Sequence, residues 1–168
     1  MKNIILIGMP GAGKSTMGVI LAKTLRRTFI DADIVIQEQA GRLLQEIIDT
    51  GGPETFLKVE ENAILSLRCR NAVIATGGSV IFSGRAMEHL KQNGVVIYLK
   101  ISFAAMEKRL RNITTRGIVL HTGESLQGMY NERVPLYERY ADITVDCSDE
   151  DFEDCVGTVI DELQKFRA

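Results

Sequence analysis

Near the amino terminus the residues Gly8-Met-Pro-Gly-Ala-Gly-Lys-Ser15 have the spacing G-x-x-x-x-G-K-[ST]. Glycines at Gly8, Gly11 and Gly13 let the chain turn tightly and aim successive N–H groups at phosphate oxygens. A lysine at position 14 sets a point charge beside the β- and γ-phosphates of a nucleoside triphosphate. Ser15 offers a hydroxyl to Mg²⁺. Gly11, Ala12, Gly13, Lys14, Ser15 and Thr16 are therefore the expected nucleotide-binding residues, with Lys14 also acting on the transferred phosphoryl group.

Other chemistry-bearing residues follow at intervals. Asp31 and Asp33 are separated by one residue at the end of a short β-branched run. One carboxylate suits Mg²⁺, through water, and the other suits the proton of a substrate hydroxyl; as a local device, an aspartate there also caps a helix. Thr76-Gly77-Gly78-Ser79 permits close backbone approach to a ligand, or makes a plain turn. Arg109 and Arg116 flank an irregular stretch, with Arg111 between them. Cations there would stabilise a phosphoryl group in transfer, under a loop that excludes water; solvated arginines are the plain alternative. Arg133, in Asn131-Glu-Arg-Val-Pro-Leu-Tyr137, suits a bidentate grip on a carboxylate or an ordinary surface position.

These residues are spaced by elements that alternate in type. Asn3–Ile7 is a continuous apolar run, as a buried parallel strand reads, and Lys14–Leu25 has helical period. Thr28–Asp31, Ala72–Ala75, Val95–Leu99 and Ile143–Val145 read as further strands. Residues 34–50 read as helix up to Gly51-Gly52, and Pro53 restarts a helix carrying Phe56, Val59, Ala63, Ile64 and Leu67. Residues 85–92, 104–111, 124–140 and 152–166 are also helical, with Pro135 expected to interrupt one of them. Strand–helix alternation predicts an α/β fold, a parallel sheet with helices on both faces. Residues 112–124 lack a sustained period and read as a mobile lid loop.

Bulk properties narrow the classes. A chain of 168 residues with 45% apolar and 25% charged residues suits one domain spanning 1–168. A net charge of −2 excludes a global field for nucleic acid or an anionic membrane. The first apolar run is too short for a membrane span or a secretory leader, which points to the cytoplasm. Cys69, Cys147 and Cys155 have no metal-like spacing with His89 or His121, and their odd number reads as separate buried thiols.

In their order and spacing, the G-x-x-x-x-G-K-S motif, Asp31-Ala-Asp33, Thr76-Gly77-Gly78, Arg116 and Glu132-Arg-Val-Pro-Leu-Tyr137 resemble the shikimate kinases over nearly the whole chain. The resemblance implies the three-layer P-loop NTPase fold of the nucleoside monophosphate kinase group, with a five-stranded sheet in the order 2-3-1-4-5. It implies transfer of the γ-phosphoryl of ATP to the 3-hydroxyl of shikimate, with Mg²⁺ as cofactor, by a monomer. By position, Asp33 binds the substrate hydroxyls and assists deprotonation, while Asp31 and Ser15 lie at the metal. Gly77 and Gly78 approach the substrate ring, Arg109 and Arg116 serve the nucleotide and phosphoryl group, and Arg133 binds the substrate carboxylate.

Two positions depart from that family's pattern. Its Phe-Arg-x-x-Glu stretch, whose arginine is a second carboxylate ligand, is here Phe56-Leu57-Lys58-Val59-Glu60, so Leu57 occupies a substrate-binding position. Lys58 is adjacent but points about 100° away on a helix. Ser79 stands where the family's turn has its third glycine. Losing one member of a buried charge pair costs about 2–5 kcal/mol, or roughly thirty- to several-thousandfold in recognition. Three functions follow as alternatives: a shikimate kinase, a related kinase for another small hydroxylated acceptor, or a nucleotide-binding module without an acceptor.

Overall fold

The structure, a computed structural model, describes residues 2–111, 118–121, 123–148 and 151–167. Five parallel strands form one sheet: β1 (Asn3–Ile7), β2 (Thr28–Asp31), β3 (Ala72–Ala75), β4 (Gly94–Lys100) and β5 (Ile143–Asp146). Their spatial order is β2-β3-β1-β4-β5, the order implied by the resemblance. β1 is central; Ile5 lies beside Ile74 of β3 and Val96 of β4. Its five residues are all buried because helices cover both faces, which is why the run is apolar without alternation. β1 leads toward β2 on one side of the sheet, and β4 lies on the other. That reversal makes the carboxyl ends around β1 a topological switch point, where ligands enter such sheets.

The helices are α1 (Lys14–Leu25), α2 (Ala32–Ala40), α3 (Leu44–Ser66), α4 (Gly84–Gln92), α5 (Phe103–Arg111), α6 (Leu126–Tyr140) and α7 (Phe152–Arg167). α1 packs tightly on β2 through Gly18, where an added Cβ would lie 2.5 Å from the Phe29 ring. α3 is broken at Gly52 (φ 75°, ψ 174°), and Pro53 opens its second half, as Gly51-Gly52-Pro53 predicts. A 3₁₀ turn at Val80–Phe82, which has too few residues to show a period, joins β3 to α4.

Three sequence expectations need correction. Pro135 does not interrupt α6: the helix continues to Tyr140, anchored on either side of the proline by buried Arg133 and Tyr137. α6 begins two residues later than 124, because Ser125 accepts the N–H of Gly128 and caps it. Cys147 and Cys155 are buried but not separate. They form a disulfide, since the end of β5 and the first turn of α7 bring their α-carbons to 5.8 Å, while Cys69 remains a free thiol.

Most apolar side chains join one core around the sheet. A smaller cluster of Ile36, Ile47, Phe56, Ala63 and Val119 ties α2 and α3 to the segment 118–121 that precedes α6. It forms one wall of the site.

Candidate active site

The P-loop leaves β1 at Gly8, whose φ of 150° brings its α-carbon against β4; a Cβ there would sit 2.6 Å from the Leu99 carbonyl oxygen. Only glycine fits that approach. Gly13 caps α1 in the left-handed region (φ 87°, ψ 20°), and no side chain caps the helix. The first-turn N–H groups and the positive end of the helix therefore face whatever lies over the loop. Lys14 is buried and donates from Nζ to the Gly8 and Met9 carbonyls, each at 2.8 Å, which holds the ammonium over the loop.

Ser15 and Asp31 meet directly. The Ser15 hydroxyl donates to Asp31 Oδ2 at 2.7 Å, while Asp31 Oδ1 accepts the Asp33 N–H at 3.0 Å. Asp31 thus caps α2, as an aspartate at that position is expected to, and also presents a carboxylate to the P-loop. A hydroxyl and a carboxylate at the start of α1 are hard oxygen donors of the kind Mg²⁺ takes alongside water and phosphate.

Asp33, one residue into α2, lines a cleft with Lys14, Ser15, Glu60, Gly77, Gly78, and Arg133. The Gly77-Gly78 turn is the floor. An added Cβ at Gly77 would lie 2.7 Å from Glu60 Oε2 and 3.2 Å from Asp33 Oδ1. One at Gly78 would lie 3.0 Å from Pro10 Cδ and 3.1 Å from Arg133 Nη1. Glycine at both positions lets the backbone share this space with side chains from α2, α3 and α6. Tyr137, beneath the floor, donates from its hydroxyl to the Gly78 carbonyl at 2.5 Å and stacks on Tyr98 with centroids 5.1 Å apart. Burial pushes the Tyr137 phenol up to about 12, so it remains a donor.

Arg133 is 2% exposed. It donates from Nη2 to the Val119 carbonyl at 2.5 Å, and its guanidinium lies 5.3 Å from the Phe82 ring centroid. Among the described residues no carboxylate forms an ion pair with it, and its Nε has no hydrogen-bond partner. A buried guanidinium held by a carbonyl and a ring, without a counter-ion among the described residues, suits an anionic ligand.

Glu60, 3% exposed, is the residue that sequence reasoning left without a role. Its Oε1 accepts the Ser79 hydroxyl at 2.8 Å, and its Oε2 has no partner among the described residues. Burial is the main cause that raises its pKa from an ordinary 4.5 to about 7; the Asp33 charge adds to it, while Ser79, Arg133 and Lys14 oppose it.

The remaining expected residues are distributed differently. Arg109 does not line this cleft. It donates from Nη1 to the Gly11 carbonyl at 3.2 Å and from Nη2 to the Cys147 carbonyl at 3.0 Å. Gly11, Ala12 and Gly13 form the loop itself, and Thr16 is exposed on α1. Leu57 does not line the cleft: it is half-buried against the cluster containing Phe56 and Val119, and Lys58 is exposed. Phe56 and Glu60, one turn apart on α3, face the cleft in its place. Arg116 lies outside the described residues, as do 112–117 of the expected lid; its far end, Ile118 and Val119, lines the cleft.

A 2-3-1-4-5 parallel sheet, a P-loop after its central strand and a charged cleft facing that loop define a P-loop kinase of the nucleoside monophosphate kinase type. The shikimate kinase family model matches residues 10–164. A shikimate kinase of Caldanaerobacter subterraneus subsp. tengcongensis is 40% identical over 166 residues, covering 95% of both chains. The shikimate kinase of Acinetobacter baumannii, solved in complex with shikimate, superposes with a TM-score of 0.84 at 29% identity, over 98% of this chain and 94% of that one. That of Aquifex aeolicus superposes with a TM-score of 0.82 at 28% identity, over 96% of each chain. The chain belongs to the shikimate kinase family.

Proposed function

We propose that this protein transfers the γ-phosphoryl group of ATP to the 3-hydroxyl of shikimate. The observation that carries this is the buried guanidinium of Arg133, with no counter-ion among the described residues, facing Asp33 and Lys14 across one cleft. A carboxylate at Arg133 and a hydroxyl at Asp33 are the two ends of a small hydroxy acid. Asp33 takes the hydroxyl proton as that oxygen forms its bond to the γ-phosphorus and ADP departs with the bridging oxygen. Lys14, with Arg116 from the lid, stabilises the negative charge on the phosphoryl group in transit. Ser15 and Asp31 would hold Mg²⁺, which neutralises phosphate charge when bound. Gly11 to Thr16 and Arg109 cradle the nucleotide, and residues 112–124 close over it.

This reading makes the enzyme a cytoplasmic monomer whose only partners are small molecules, with no nucleic acid and no membrane. Among the described residues, no helix is long and apolar enough to cross a membrane. A second acceptor is favoured by one observation: among the described residues lining the cleft, Arg133 is the one guanidinium, and the wall is built from Leu44 and Phe56. ADP release measured with MgATP and shikimate, and with other small hydroxy acids, separates the two. Turnover with shikimate supports the first reading, turnover only with other acids the second, and ATP binding without turnover a nucleotide-binding module.

A further inference from the structure

We propose a second ligand site, at the end of the sheet opposite the P-loop, that takes a small organic anion: a carboxylate on an apolar, ring-sized body. Its residues lie outside the phosphoryl-transfer cleft, and the site stands whichever acceptor that cleft takes.

The amino ends of β1, β3 and β4 meet around a cavity of about 370 Å³. Asn3 opens β1, residues 67–70 lead into β3, and His89 and Leu90 lie on the helix that leads into β4. The volume is near the lower bound of the roughly 300–1,000 Å³ usual for small-molecule sites. Two kinds of surface line it. Leu67, Ile74 and Leu90 make one side apolar; Arg68 and Arg70 make the other cationic, and no residue lining the cavity is acidic.

The arginines have no counter-charge. Neither forms an ion pair among the described residues. Arg68 Nη1 donates to the Leu65 and Leu67 carbonyls at 2.6 and 3.0 Å, which anchors that side chain at the rim. Among the described residues Arg70 makes no hydrogen bond at all. Arginines are ordinary on a flat surface, where water solvates them. A concavity differs, because a ligand can shed water from the apolar side while its carboxylate meets a guanidinium fork of matching geometry.

The inner polar groups decide what kind of body fits. Asn3 donates from Nδ2 to the Cys69 carbonyl at 3.0 Å and accepts the Ala72 N–H at Oδ1, also at 3.0 Å. His89 donates from Nε2 to the Leu67 carbonyl at 3.1 Å. These groups are already engaged with the backbone, so the floor favours an apolar body over a sugar or polyol. Cys69, the free thiol, is half-buried on the same wall and reports on occupancy.

The probe is naphthoate, with naphthamide as its uncharged counterpart and inorganic phosphate as an anion without an apolar body. Each is titrated by calorimetry into the full chain in the presence of MgADP and shikimate. Iodoacetamide alkylation of Cys69, read by peptide mass, reports the location. We expect naphthoate to bind and to slow that alkylation, and naphthamide and phosphate to bind at least about tenfold more weakly. Arg70→Ala should weaken naphthoate binding by about tenfold or more, the loss of one charge-assisted contact, and leave kcat and both KM values unchanged. Absence of naphthoate binding would overturn the inference, and so would equal binding of either companion probe. Binding that leaves the Cys69 rate or the Arg70→Ala affinity unchanged would place naphthoate elsewhere and overturn it too. The Cys69 rate in the native protein decides the location even without the variant.

Discussion

Replacing Glu60 by glutamine should make the protein more stable in mild alkali and leave it nearly unchanged at pH 4. In the unfolded chain the carboxyl ionises near its ordinary 4.5, whereas burial holds it to about 7 in the native state. Between those values the native protein binds the extra proton, so stability falls as pH rises from about 4.5, and the loss is complete above about 7. The gap, at about 1.4 kcal/mol per pH unit, amounts to about 3 kcal/mol. Glutamine retains the oxygen that accepts the Ser79 hydroxyl and has no proton to lose. At roughly 2–4 °C per kcal/mol for a chain of this size, the variant should melt about 6–12 °C higher at pH 8.5. At pH 4, below both values, the two proteins should melt nearly together, because the carboxyl is then mostly protonated in the folded and the unfolded chain alike. Thermal unfolding across pH 4 to 9, followed by circular dichroism, measures the difference. Melting curves that stay parallel over this range would show that Glu60 ionises normally in the folded protein.

Two further substitutions divide the site into its halves. Lys14→Ala removes the buried ammonium from over the P-loop and should weaken MgATP binding by at least about thirtyfold, the low end for loss of a buried charge contact; calorimetry showing ATP affinity retained would undo the assignment of the loop. Arg133→Ala should raise the shikimate KM by roughly thirty- to several-thousandfold and leave the ATP KM within a few-fold. Equal losses for both substrates would mean that Arg133 supports the fold rather than the acceptor carboxylate.

Much of this was legible in the chain because local signals and the fold agree. The motif at Gly8–Ser15 lies between a strand and a helix whose boundaries, Asn3–Ile7 and Lys14–Leu25, follow directly from apolar patterning. β2 and β3 likewise fall where short β-branched runs end on an acid or a glycine pair. Strand order is not local information; it came from the resemblance, since alternation alone permits several orders. Glu60 escaped because a glutamate among helical residues ordinarily marks a solvated face. Only the packing of α3 over the Gly77–Ser79 turn buries it, and the pertinent signal was the simultaneous presence of Leu57 and Ser79. Phe82 beneath Arg133 belongs to a 3₁₀ turn without periodicity, and the Cys147–Cys155 pairing depends on how β5 meets α7. Pro135 misled because helix propensity is a local preference, whereas buried Arg133 and Tyr137 hold α6 from both sides of it.

The central claim is that the cleft between the P-loop and Arg133 receives shikimate for phosphorylation. The most direct measurement is the rate of ADP release at saturating MgATP as shikimate is varied. The structure predicts saturable, shikimate-dependent release with one ADP formed per shikimate 3-phosphate. ATP binding accompanied by no increase in ADP release at any shikimate concentration would contradict it.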